Sequence, residues 1–384
     1  MSASPSRFQR FLLPGLAFKS VVIGGGYATG RELAEFFLPS GPNGGMMGML
    51  LTMAIWSVVC ALTFLFAQMT RSFDYRSFFK AMMGPFWIVF EAAYLIFMLL
   101  ILSVFGAAAG SIVNAMSGLP LLAGTLALMA GIGAFTAFGS ESVERLFKWL
   151  SLSLYAVYIA FFILALSAFG DRIVQGFSLD VPSAGWLAGG ATYASYNIVC
   201  VVMVLPIARH FLRGRDAVIA GLAAGPLAMI PAMLFFVCMV AWYPGIASET
   251  LPSDFMLERL GMPLFQMLFQ LMIFSALLES GVGAVHAINE RVAVAWQAKA
   301  GGELSAAWRF GIAGCLLVVS IFIADRFGLV ALIAQGYRFL AWLIFFVFLV
   351  PLLTAGVWRI FRELGDKNGV NAPPITMENH DAID

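Results

Sequence analysis

The sequence predicts an all-α polytopic membrane protein whose ten spans form a five-plus-five inverted repeat. Three observations carry that reading: an extreme composition, a regular series of apolar segments, and two glycine-bearing interruptions placed five segments apart. Of the 384 residues, 61% are hydrophobic and only 11% are charged. A soluble chain of that length cannot hide so much apolar surface. The net charge of +1 says nothing about partners and gives no footprint for nucleic acid. Cys60, Cys200, Cys238 and Cys315 are scattered singly through apolar segments, and His210, His286 and His380 are the only histidines. Neither a metal-ligand spacing nor a nucleophile, acid and base set emerges. The composition therefore argues against an enzyme, and no metal or organic cofactor is expected.

Apolar segments bounded by Gly, Pro or charge run over 12–38, 44–70, 85–116, 120–139, 145–169, 184–208, 215–242, 262–290, 306–325 and 328–358. Arg7 and Arg10 before the first segment resemble a signal peptide, but Lys19 interrupts the run and no small-residue cleavage site follows it. Residues 1–11 read instead as a cytoplasmic N-terminus before a retained helix. Residues 71–84 are short and partly basic, as expected of an amphipathic helix lying in the interface. Residues 244–261 form the longest loop on the other side, with room for a lid helix. Residues 359–384 read as a polar cytoplasmic tail, disordered from Asp366 onward.

Lys and Arg set the orientation. With the N-terminus inside, only Arg172, Arg259 and Arg326 fall outside, while Arg31 and Arg338 lie within spans. Every other Lys and Arg falls on the inner side, so both termini are expected in the cytoplasm.

The first span contains Ile23-Gly24-Gly25-Gly26-Tyr27-Ala28-Thr29-Gly30-Arg31-Glu32. Each glycine costs a helix about 1 kcal/mol relative to alanine. An unwound turn in a bilayer survives only where it faces protein, water or a ligand. The sixth span carries Ala188-Gly189-Gly190-Ala191-Thr192-Tyr193-Ala194-Ser195-Tyr196-Asn197 at a comparable depth. Taken singly, either run also suits close helix packing through small residues. Five spans is an odd number, so the second half is inverted, with residues 12–169 forming one repeat and 184–358 the other. Interruptions at matching positions of inverted halves point to discontinuous helices around a midplane substrate site.

At such a break, freed N–H groups and a helix N-terminus suit a carboxylate, and freed carbonyls suit a cation. Gly24, Gly25, Gly26 and Thr29 bring backbone to a substrate. Tyr27, Tyr193 and Tyr196 are wall candidates, with interhelical packing as the alternative, and Ser195 and Asn197 offer hydrogen bonds. Thr29 and Glu32 also spell a capping box, which places a helix start near Thr29. Glu32 is therefore either a cap or a proton- or amine-binding carboxylate. Arg31 and Glu35, four apart, share a helical face and suit an ion pair. Glu279 lies near the middle of the eighth span with Ser275 on its face, and an intramembrane charge is a functional candidate by default. Its alternative is a permanent pair with Arg338 or Arg31.

Ten spans with interruptions in the first and sixth resemble the LeuT-fold amino acid–polyamine–organocation superfamily. The run Gly-Gly-Gly-Tyr-Ala-Thr-Gly-Arg-Glu-Leu-Ala-Glu-Phe-Phe from Gly24, with the later Ile333-Ala334-Gln335-Gly336-Tyr337, looks like the bacterial YkvI-like amino-acid permease family. The resemblance implies a secondary active transporter of the inner membrane for a small zwitterionic or amine-bearing metabolite, driven by protons or sodium. It implies that Ser275, Glu279 and Ser280 hold a sodium ion or, for Glu279, a proton. It also implies an outer gate through Arg31, Glu32 and Arg338. Here the chain departs from the family pattern, with an arginine rather than an acid on the last helix, so Arg338 suits a substrate carboxylate as well. The Asp-Pro-Gly-Asn first break of the related metal transporters is missing, which disfavours a metal cargo. A channel or a sensor on the same scaffold are the rival readings.

Overall fold

The computed structural model describes residues 5–22, 28–138 and 141–367, and among them it contains helices, turns and loops but no strand. The chain starts with α1 (Arg7–Phe11), closed by a Ser6–Gln9 capping box, and α2 (Leu13–Val22). The triple glycine and Tyr27, within residues 23–27, lie outside the described residues. Gly30 then takes a left-handed conformation (φ 78°) as the N-cap of α3 (Arg31–Phe36). Only glycine adopts that geometry without strain. The N-cap thus falls one residue later than the Thr29 that the capping box predicts, on a residue with no side chain to cap with.

After a 3₁₀ turn at Leu38–Ser40 comes α4 (Gly41–Thr70), then the short α5 (Tyr75–Met83), N-capped by Asp74 within the expected interfacial stretch. Next are α6 (Trp87–Ser117), α7 (Leu121–Phe138), α8 (Glu141–Phe177) and α9 (Trp186–Asn197). The chain continues through a 3₁₀ turn at Ile198–Cys200, α10 (Val201–Val204), a second 3₁₀ stretch at Leu205–His210 and α11 (Gly214–Val240). The expected lid helix is α12 (Pro252–Leu260), followed by α13 (Pro263–Ala300) and α14 (Ala306–Ala331). A π-helical turn at Leu332–Gly336 leads into α15 (Tyr337–Ile344), and further π-helical turns at Phe345–Leu349 and Leu352–Gly356 join it to α16 (Val357–Lys367). The residues expected as a polar tail from 359 therefore continue as helix to Lys367, and the rest of that tail lies outside the described residues.

Among the described residues, seven stretches are long and apolar enough to cross a membrane: Arg31–Thr70, Tyr75–Ser117, Ala156–Phe177, Trp186–His210, Gly214–Val240, Pro263–Gln297 and Ala306–Glu363. Leu13–Val22 and Leu121–Ala137 are shorter apolar helices. Large apolar side chains such as Leu264, Phe322 and Trp342 face outward along these helices. That outer surface suits lipid rather than water.

The interior is organised by backbones that approach closely through small residues. A Cβ at Gly221 or Gly225 of α11 would run into Ala61, Met53 and Ser57 of α4. In the same way Gly15 seats α2 on Ala224 of α11, and Gly190 seats α9 on Gly48 of α4. A second layer is built around α6, with Gly110 against Leu121 of α7 and Gly106 near Ala324 of α14. Buried Phe78, Phe79, Phe90 and Phe348 tie α5 to α6 and to the last helical stretch.

This packing corrects one expectation. The glycines of the sixth span do not unwind it: α9 runs unbroken from Trp186 to Asn197, and the irregular turn follows at Ile198–Cys200. Gly189 and Gly190 have a different task, because side chains there would strike the carbonyl oxygens of Phe36 and Gly48. The close-packing reading holds for this pair.

Candidate functional site

The site grows out of the start of α3. Once Gly30 has turned the chain, Arg31 and Glu32 are the first two helical residues, and they point to different environments. Glu32 is buried (4% exposed) and accepts a hydrogen bond from the Tyr196 hydroxyl at 2.8 Å. Around that bond, the Tyr196 ring lies 4.5 Å from Tyr337, 5.6 Å from Tyr193 and 5.7 Å from Phe36. Tyr193 in turn meets Phe37 and Trp56. Three separate helical stretches, those of α3, α9 and α15, thus converge on one carboxylate.

Neighbouring side chains hold the backbone of this region. Tyr158 of α8 donates from its hydroxyl to the Ala28 carbonyl (3.0 Å), just before the left-handed turn. Trp56 Nε1 donates to the Ala194 carbonyl (3.2 Å), and Thr52 donates to that of Gly190 (2.9 Å). These bonds tie α8 to the turn before Gly30 and α4 to α9. Thr29 is fully buried, and its hydroxyl accepts from the Arg31 N–H at 3.4 Å.

Arg31 turns away from Glu32. Its Nη1 donates to the carbonyls of Ala247 and Glu249, in the loop before α12, at 2.8 and 2.9 Å. Its Nη2 pairs with Glu35 at 2.8 Å, as the i, i+4 spacing predicts. Arg338 pairs with the other oxygen of Glu35, at 3.6 Å. This corrects the expected gate: the acid that meets Arg338 is Glu35, not Glu32. On a helix, residue 35 stands beside residue 31, whereas residue 32 faces the tyrosines. With both arginines held by Glu35, no Lys, Arg or His among the described residues forms an ion pair with Glu32.

The other expected residues are spread more widely. Tyr193, Tyr196 and Asn197 are buried on α9, with Asn197 Nδ2 donating to the Tyr193 carbonyl at 3.3 Å; Ser195 is half-buried. On α13, Ser275, Glu279 and Ser280 are half-buried, and Ser275 donates to the Leu271 carbonyl of its own helix at 2.8 Å. Gly24, Gly25, Gly26 and Tyr27 are outside the described residues. Sequence reasoning missed Tyr158, Tyr337 and the second role of Glu35. Tyr337 closes the Ile333–Tyr337 motif, which was its only signal.

At the Arg31 end a cavity of about 500 Å³ lies between α6, α12 and the kink at Gly328, lined by Asn114, Glu249, Asp254 and Glu258 among others. Asp254 is steadied there by Gln266 and Gln270, each donating at 2.8 Å.

No protein-family model matches the chain, and neither does any curated protein. Solved structures do. One is MhsT in complex with L-phenylalanine, at 18% identity over 92% of this chain and 88% of that one, with a TM-score of 0.55. Another is the inward-facing conformation of Mhp1, at 16% identity over 89% of this chain and 75% of that one, with a TM-score of 0.53. Both are LeuT-fold transporters. The likeness shows that this multi-pass helical chain has the LeuT fold.

Proposed function

We propose that the protein is a secondary active transporter of a small zwitterionic or amine-bearing metabolite, coupled to protons or sodium and working by alternating access. The observation that carries this reading is Glu32. A buried carboxylate, hydrogen-bonded to Tyr196 and without an ion pair among the described residues, is costly unless a cation or a proton joins it. A substrate ammonium, a sodium ion or a proton fills that need, and each would make occupancy and conformation interdependent.

The proposal includes ten spans in two inverted halves, 12–169 and 184–358. Two of the seven long apolar stretches support the count. Ala306–Glu363 holds 58 residues, about 87 Å at 1.5 Å per residue, against a hydrocarbon core of about 30 Å. Gly328, at φ 71° and ψ 170°, breaks it where the sequence separates the ninth and tenth segments. Gly41 (φ 72°) does the same within Arg31–Thr70. The packing supports a repeat as well, since α2 on α11 and α9 on α4 are the same contact with the halves exchanged.

Within this reading, α3 and α9 form the two sides of the substrate site. Glu32 takes the cationic group, and the Arg31–Glu35–Arg338 cluster closes the outer side. Glu279, Ser275 and Ser280 remain the proposed ion-coupling residues on α13. The glycine run from Gly24 keeps the YkvI-like permease family, a bacterial inner membrane and two cytoplasmic termini within the proposal. MhsT, crystallised with L-phenylalanine, makes amino acids the first ligands to try.

The test is uptake by proteoliposomes under imposed proton or sodium gradients, with ligands first chosen by thermal stabilisation of the purified protein. Saturable uptake that follows one gradient is expected. Glu32→Gln, nearly isosteric, should lower coupled uptake at least about tenfold while the protein still folds. Uptake that ignores both gradients, or a Glu32→Gln protein as active as the parent, would sink the proposal.

A further inference from the structure

The opposite end of the molecule carries a second cavity, also of about 500 Å³. Met82, Met83, Gly84 and Phe86 form one wall, and Val350, Pro351, Thr354, Ala355 and Arg359 form the other. One wall is thus the end of α5 and the turn into α6; the other is one face of the last helical stretch. From Arg359 to Val350 that face spans nine residues, about 13 Å at 1.5 Å per residue. The groove is apolar along its length and cationic at its rim.

The rim is richer in charge than the lining alone shows. Arg76, Lys80 and Met83 are spaced i, i+4, i+7 on α5 and so share a face. Arg76 and Lys80 both sit over the Trp87 ring, at 4.8 and 5.5 Å. Arg362, one turn beyond Arg359, sits over Trp358 at 5.5 Å. None of these four cations has an ion-pair partner among the described residues. Phe86, Trp358 and Phe361 are 68%, 60% and 70% exposed around them. Aromatic side chains beside Lys and Arg, at the end of an apolar helix, mark the headgroup level of a bilayer.

We propose that this groove binds an anionic diacyl phospholipid, with one acyl chain along Val350, Pro351 and Phe86 and the phosphate at Arg359. The apolar floor suits an acyl chain, and the cations at its rim suit an anion on the same molecule. Polybasic segments at a membrane surface gain about 1 kcal/mol per Lys or Arg from anionic lipid. Such a lipid would join α5 to the end of the last span. The inference needs only a membrane-embedded chain and stands apart from the transport reading.

Native mass spectrometry of the purified, delipidated full-length protein tests it, using phosphatidylglycerol and phosphatidylcholine with identical acyl chains. Phosphatidylglycerol adducts should exceed phosphatidylcholine adducts at least about fivefold. Arg359→Gln should remove most of that preference, while Arg326→Gln, at the other end, should leave it intact. Equal adducts of the two lipids on the parent protein would overturn the proposal without recourse to any variant. So would an unchanged preference in Arg359→Gln. Deacylated glycerophosphoglycerol binding as well as the intact lipid would reduce the site to an anion site and overturn it too. A lipid-free dimer that excludes phosphatidylglycerol would assign the groove to a second copy instead.

Discussion

The two ends of the molecule are fastened by ion pairs of very different quality. At the end taken here as cytoplasmic, Arg10 of α1 grips Asp216 of α11 with both arms of its fork, Nη2 to Oδ1 at 2.7 Å and Nε to Oδ2 at 3.0 Å. Asp216 is itself buried and accepts from the N–H groups of Leu212 and Arg213 at 3.0 and 3.3 Å. At the other end, Glu35 is divided between Arg31 and Arg338, and the contact to Arg338 is 3.6 Å long with that side chain 61% exposed. Bidentate, sheltered pairs are strong, whereas long, solvated ones contribute about 0–1 kcal/mol. The inner end is bolted by this pair, whereas at the outer end Arg338 is only lightly held beside the closer Arg31–Glu35 pair. On the proposed alternating-access reading, the inner end therefore loses more when its pair is removed.

Removing the bolt should produce the largest effect. Arg10→Ala deletes two charge-assisted hydrogen bonds and leaves Asp216 with its two backbone donors, which should shift the balance between closed and open inner ends by about tenfold or more. A thiol introduced at Val22, which is buried at the end of α2, should react correspondingly faster with a soluble reagent. An unchanged rate would mean that the two ends are equally held and would dissolve the comparison. Glu35→Gln comes next. Arg31 keeps the carbonyls of Ala247 and Glu249, so the loss is about 1 kcal/mol, or about fivefold in outer opening. A thiol replacing buried Ser253 of α12 reports it. A change larger than that of Arg10→Ala would invert the ranking.

How much of this was legible in the chain depends on the range of the interaction. Apolar length is local, so helical segments could be placed from composition alone. The Arg31–Glu35 pair is also local, one turn apart on one face. The bond between Glu32 and Tyr196 joins residues 164 positions apart, and no periodicity reveals which tyrosine meets which acid. The capping box at Thr29 was a fair local signal, but Gly30 took the cap by entering the left-handed region. Gly189 and Gly190 looked like a break because their helix cost is local, whereas the Phe36 and Gly48 carbonyls that they accommodate are not. The choice of Glu35 over Glu32 as partner of Arg338 turned on where Arg338, rather than its neighbour Tyr337, leaves the last helical stretch, a tertiary fact.

Arg338 supplies the smallest and most discriminating test. The sequence left it three roles: a gate residue, a direct ligand for a substrate carboxylate, or a permanent partner of Glu279. Its exposure and its 3.6 Å separation from Glu35 predict a minor contribution to closure, about 0.5 kcal/mol, screened further by salt. Arg338→Gln should therefore change the outer labelling rate by less than about threefold, and that difference should vanish in about 1 M salt, where the Debye length is near 3 Å. A gate residue acts on closure, so apparent affinity for a zwitterionic substrate and for its amine analogue should shift together and slightly. A carboxylate ligand would behave otherwise: Arg338→Gln would weaken the zwitterion about tenfold or more, as expected for a lost charge-assisted bond, and leave the amine analogue untouched. That outcome would move Arg338 from the lightly held outer end into the substrate site and leave Glu35 with Arg31 alone.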